Sequence, residues 1–178
     1  MESPISRSQP CSICIRMACG SFVDYTRDSL LHCGVSDSKG VVFHFDESGH
    51  HRSEWLECIY YRLDIYRMKI FGTETTTNPV EKYRSWDDLL LQFFRSHEKN
   101  DGAYHSLDNN CYDFINAFLN RAFMHSSQQL FINASITGFT KDSVAVHMLE
   151  PCMMELEKYL TCYRQLINNQ SVQTWKLS

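Results

Sequence analysis

Apolar positions in this chain follow a period of two in its first third and a helical period later. Leu30-Leu31-His32-Cys33-Gly34-Val35 and Val41-Val42-Phe43-His44-Phe45 are β-prone runs on either side of Ser36-Asp37-Ser38-Lys39-Gly40. Two such runs across a turn-rich, glycine-containing pentapeptide predict a β-hairpin. A further strand is expected over 57–64, where Ile59, Tyr61 and Leu63 alternate toward one side. Residues 72–78, with their threonine triplet, read as a loop. Helical spacing begins at Ser85, where Ser85-x-x-Asp88 resembles a capping box and Trp86, Leu89, Leu90, Phe93 and Phe94 share a face. A second helix opens at Cys111, behind the N-capping run Asp108-Asn109-Asn110, and carries the stripe Phe114, Ile115, Phe118, Leu119, Phe123. A last helix is expected from about Pro151, and a strand is a candidate within 131–146.

This order predicts an α+β domain, an antiparallel sheet packed against helices. The domain is expected over 21–167, between an N-terminal arm (1–20), partly ordered at best, and a polar tail (168–178).

The chain has 178 residues, about one domain by length. Lys and Arg number 17 against 21 Asp and Glu, a formal charge of −4, so no nucleic-acid partner is expected. No apolar run reaches the roughly 18 residues of a membrane span, and residues 1–10 lack the apolar core of a signal peptide. An intracellular protein, cytoplasmic or nuclear, is the expectation. The eight cysteines are scattered through helix-like and strand-like segments, so they read as thiols, most of them small buried hydrophobes.

One of them is placed for chemistry. Cys111 opens a helix, where free backbone N–H groups and the positive end of the dipole favour a thiolate. A nucleophilic cysteine needs a base, and His32 and His44 on the hairpin are the candidates. If paired residue numbers sum to 76, His32 faces His44 directly and both imidazoles share one face of the sheet. His32 would then take the thiol proton and His44 would hold its tautomer. The Cys111 backbone N–H, with the Asn110 side chain second, would hold an oxyanion. Cys33 alternates to the other face and reads as packing. Cys11-x-x-Cys14 with Cys19 falls short of four zinc ligands, so no metal and no cofactor are expected. His50-His51 reads as a solvated turn, and residues 74–77 lack the glycines of a phosphate cradle.

The strand His32, the second histidine His44 across a turn, and Asn110-Cys111 opening a helix resemble the circularly permuted papain-like (NlpC/P60-like) group, in particular the lecithin:retinol acyltransferase-like family. That resemblance covers about 30–119 and implies a permuted papain-like fold. It also implies a thioester-forming cysteine, Cys111, a base, His32, and an orienting residue, His44. The acidic-His pair usual after the cysteine is replaced here by Tyr112-Asp113. A longer resemblance, from Cys11 to Tyr163-Arg164, is to the makorin opposite-strand family. It rests on Ser29-Leu30-Leu31-His32, the turn from Asp37 to Val42, Trp55 and Asn110-Cys111-Tyr112, and it implies kinship but no activity. Two readings follow. One is a thiol hydrolase or acyltransferase acting on an ester, amide or isopeptide bond. The other is an inactive papain-like domain that serves as a protein-interaction module. The substrate or partner is not named by either.

Overall fold

Among the described residues, five strands form one antiparallel sheet in the order β4-β3-β2-β1-β5. They are β1 (Ser12–Met17), β2 (Leu31–Ser36), β3 (Val41–Asp46), β4 (Gly49–Glu54) and β5 (Ile59–Arg62). Helices α1 (Pro79–Asn100), α2 (Cys111–Phe123), the short α3 (Lys141–Val144) and α4 (Glu150–Thr174) follow, with a π-turn (Ala145–Leu149) between the last two. The computed structural model describes residues 2–64, 79–100, 102–123 and 139–174. The α+β class and the antiparallel sheet agree with the pattern of the sequence.

The hairpin closes through Asp37, whose Oδ1 accepts the backbone N–H groups of Lys39 (2.8 Å) and Val41 (2.9 Å). Gly40 has φ +85°, and a Cβ there would lie 2.8 Å from the Ser8 carbonyl oxygen, so only glycine fits the turn. The pairing differs from the expected one: Gly34, not His32, stands opposite His44, and Ser36 pairs with Val42. Ser36 is the physical reason. It is drawn into the ladder as a buried strand residue because its hydroxyl accepts from the Ser12 backbone N–H (2.9 Å) and donates to the Gln9 carbonyl (2.5 Å). The register therefore sums to 78, and a two-residue shift leaves every side chain on its original face.

Two strands lie where none is expected. Residues 12–17, assigned from sequence to a loosely ordered arm, form β1 in the interior of the sheet, between β2 and β5. The His50-His51 stretch, read as a solvated turn, lies in β4, with His51 paired to His44 and His50 to Phe45. As an edge strand, β4 is only half buried, and His50 is held from two sides: its ring stacks on Phe45 with centroids 4.4 Å apart, and its Nε2 lies 2.7 Å from His97 Nδ1 on α1. Helix α1 starts at Pro79, ahead of Ser85, since proline suits a first helical turn. Within the candidate strand region 131–146, the described part forms α3 and the start of the π-turn, with Thr140 and Ser143 in a reciprocal capping box. Helix α4 runs to Thr174, into the expected tail. The loop expected at 72–78 lies outside the described residues.

The two faces of the sheet bury different things. Ile13, Ile15, Cys33, Val35, Phe43 and Phe45 point to the helices and meet Trp86, Leu90, Phe114 and Phe118 in the main core. Trp86 is fully buried, and its indole N–H donates to the Ser36 carbonyl at 2.9 Å, fastening α1 to the end of β2. The opposite face carries a smaller cluster of Cys14, Val42, Trp55 and Cys58. Cys11 belongs to the first cluster and Cys14 to the second, so the Cys-x-x-Cys pair diverges across the sheet.

Candidate active site

Helix α2 starts at Cys111 because Asn110 caps it. Asn110 Oδ1 accepts from the backbone N–H groups of Tyr112 (2.9 Å) and Asp113 (3.2 Å), and Asp113 Oδ2 accepts from the Asn110 N–H (3.1 Å). This reciprocal arrangement fixes the first turn and the direction in which the cysteine leaves it. The Asn110 amide nitrogen donates to the Ser106 carbonyl at 2.8 Å, so this side chain is occupied on both ends.

Paired residues between β2 and β3 run from Gly34–His44 to Ser36–Val42, leaving His32 and Cys33 beyond the ladder on the β3 side. The start of α2 meets β2 there. Hydrogen bonds from the Cys33 thiol, the His32 imidazole and the Cys33 backbone N–H stabilise the Cys111 thiolate. Together they outweigh the cost of burial and lower its pKa to about 5. Cys33 is driven the other way, well above an ordinary thiol, first by complete burial and then because it donates to Cys111. Cys33 is therefore a neighbour of the nucleophile, which alternation alone did not reveal. The available signal was that the apolar stripe of α2 must pack on the face to which Cys33 points.

His32 Nε2 lies 2.9 Å from His44 Nδ1, with the rings edge to face at 4.9 Å. This contact occupies Nε2 of His32 and leaves Nδ1 as its second ring nitrogen. His44 Nε2 lies 3.1 Å from Ser53 Oγ, which also accepts the Trp55 indole N–H at 3.1 Å. Burial, then the charges of His32 and Arg16, push the His44 pKa down to about 3, against the pull of Asp46. At neutral pH His44 is an uncharged ring that can accept at Nδ1 while donating to Ser53 through Nε2. The result is a chain of contacts from His32 through His44 and Ser53 to Trp55.

Trp55 walls this chain, with ring centroids 5.5 Å from His32 and 5.3 Å from His44. The Arg16 guanidinium lies over the same indole, 4.6 Å from its ring centroid. Arg16, Met17, Trp55, Leu56 and Glu57 line a recess of about 290 Å³. Tyr104 stacks edge-on against Phe45, and its phenol is raised by burial and then by the charge of Cys111. Cys111 itself is 3% exposed.

A family model described as DUF4796 C-terminal matches residues 2–166. The chain belongs to the DUF4796 C-terminal family. A human relative named "MKRN2 opposite strand protein" is 24% identical over 176 residues, covering 93% of this chain and 70% of that protein. Both findings support the makorin opposite-strand resemblance. No solved structure matches this DUF4796 chain. Among its described residues, no helix is long and apolar enough to cross a membrane.

Proposed function

We propose that this protein is a cysteine-dependent hydrolase or acyltransferase acting on an ester, amide or isopeptide bond, built on a circularly permuted papain-like core. The observation that carries the reading is the His32–His44 contact of 2.9 Å behind a helix-opening Cys111 whose pKa is lowered to about 5. In this scheme the Cys111 thiolate attacks the carbonyl carbon, and its backbone N–H holds the oxyanion at the start of α2. His32, protonated on Nδ1 by the thiol, donates that proton to the departing alkoxide or amine as the C–O or C–N bond breaks. Water or an acceptor then attacks the thioester, His32 takes its proton, and the thiolate leaves. His44 is a positioning residue: it accepts the Nε2–H of His32 and so supports the imidazolium form.

The test is thiol labelling with an ester or ubiquitin-type electrophilic probe near neutral pH. Selective modification of Cys111 among the eight thiols, reduced about 100-fold or more by His32→Ala, is expected. Equal labelling of several cysteines, unchanged by that substitution, overturns the reading. The 3% exposure of Cys111 favours a second reading, an inactive domain that binds a protein partner. That reading predicts no acyl-enzyme with any ester or amide probe.

A further inference from the structure

We infer that His32, His44 and Asp46 form a binding site for a divalent transition-metal ion of the zinc class, and that its occupation switches the thiol site off. One ligand atom from each of the three residues lies within 4.8 Å of the other two. His32 Nε2 and His44 Nδ1 are 2.9 Å apart, and His44 Nδ1 and Asp46 Oδ2 are 3.6 Å apart. A tetrahedral ion with bonds of about 2.0–2.1 Å sets its ligands roughly 3.3 Å from one another. These two separations lie on either side of that value, while His32 and Asp46 are held only within the wider 4.8 Å limit, so seating the ion requires the half-buried Asp46 carboxylate to swing toward His32.

The surroundings are those of a supported site. His44 and Asp46 are two residues apart on β3, so both project from the same face of the sheet. Asp46 Oδ1 is held by the Ser48 backbone N–H (2.9 Å) and hydroxyl (2.6 Å), and by His51 Nε2 at 3.3 Å, which leaves Oδ2 turned to His44. His44 Nε2 has Ser53 Oγ at 3.1 Å, the outer contact that fixes the orientation of a ligating imidazole. His32 and His44 are 7% and 3% exposed, so their rings are already held in place. Two imidazoles and one carboxylate select zinc or cobalt over magnesium or calcium, which prefer all-oxygen sets.

The inhibitory part rests on the proposed thiol chemistry. A metal on Nε2 of His32 uses that lone pair and confines the ring proton to Nδ1, the nitrogen that the proposed scheme assigns to Cys111. The ring can then donate to the thiolate but has no lone pair with which to take the proton of the water or acceptor that resolves the thioester, and the hydrogen bond to His44 is replaced by two metal bonds. Metal occupancy and base catalysis are mutually exclusive on this geometry.

Zinc titration of the metal-free full chain by calorimetry, with cobalt absorption spectra in parallel, tests the inference. One equivalent should bind the wild type and Cys111→Ser alike, and binding should weaken 10-fold or more in Asp46→Asn and in His44→Gln. Zinc should leave Cys111 labelling in place but stop turnover of an activated ester after the first acyl-enzyme, a chelator should restore turnover, and Asp46→Asn should resist the block. Imidazole NMR shifts of His32 and His44 at one equivalent of zinc provide a readout that needs no variant to fold. Absence of binding, loss of binding in Cys111→Ser, unmoved His32 and His44 resonances, or affinity indifferent to Asp46→Asn overturns the metal site. Binding with undiminished turnover overturns the switch. An unreactive Cys111 in the metal-free wild type defeats the thiol reading while the Cys111→Ser titration still decides the metal site.

Discussion

Gly34 stands directly across from His44 in the β2–β3 ladder, and a Cβ built on Gly34 would lie 2.9 Å from the His44 Cβ. The same Cβ would meet the Val42 Cγ1 at 2.6 Å and the Phe43 carbonyl oxygen at 2.7 Å. The missing side chain lets the second histidine sit flush against β2 with its ring turned toward His32.

Gly34→Ala should therefore cost more than an ordinary strand substitution. Backbone oxygen is among the atoms it strikes, so the strands must part by several tenths of an ångström, at about 1–3 kcal/mol. Chemical denaturation should show the loss of stability, and Cys111 labelling should slow because His44 no longer supports His32. An unchanged denaturation midpoint would mean that the two strands yield freely.

The rate of Cys111 alkylation should follow a titration centred near pH 5, in line with the lowered thiol. An unperturbed thiol titrates near ~8.5, so at pH 6.5 Cys111 is mostly thiolate where an ordinary cysteine is about one per cent ionised. Removing the imidazole donor with His32→Ala should move the midpoint upward, and Cys33→Ala, which deletes the leading thiol donor, should move it upward as well. A profile centred near 8.5 in the wild type would contradict the hydrogen-bonded thiolate.

Acid should destabilise the fold through His44 before it does so through the carboxylates. Its folded pKa of about 3 is below the ordinary histidine value, so between pH 6.5 and 3 the unfolded chain binds a proton that the folded chain refuses. That contribution to stability is complete above pH 6.5 and is lost progressively as pH falls through this window. Asp46, held below the usual carboxylate range by Ser48 and the neighbouring histidines against the cost of its burial, adds its loss only lower down. Melting temperature against pH should slope upward from 3 to 6.5, and His44→Gln should flatten that slope.

Trp86→Phe should cost about 2 kcal/mol. It removes the donor to the Ser36 carbonyl and leaves space in a fully buried position. Thermal unfolding measures the loss. Since Ser36 also sets the β2–β3 register, the substitution should loosen protection of the Val42 and His44 amides in hydrogen exchange.

The elements whose side chains carry their own instructions were readable in the sequence. The hairpin announced itself through Asp37 and Gly40, which make the turn, and α2 through Asn110, which caps it. The meeting of His32 with His44 was legible because parity survives a two-residue slip, although the register itself was fixed by Ser36 bonds to Ser12 and Gln9, residues far away in the chain. What stayed hidden depended on tertiary choices. Strand β1 is short and mixes cysteine with arginine, so it read as part of a loosely ordered arm, and only pairing on both sides makes it a strand. Strand β4 looks solvated until His50 finds His97. Cys33, Ser53, Asp46 and Trp55 join the site through packing of α2 and the fold of the β3–β4 hairpin, which no local spacing encodes.

The interior place of β1 has a practical consequence for anyone trimming this protein. Residues 12–17 are the seam joining β5 to the β2–β3–β4 meander. A truncation starting at residue 18 would split the sheet into two pieces with open, sticky borders, and such a fragment should aggregate in place of folding.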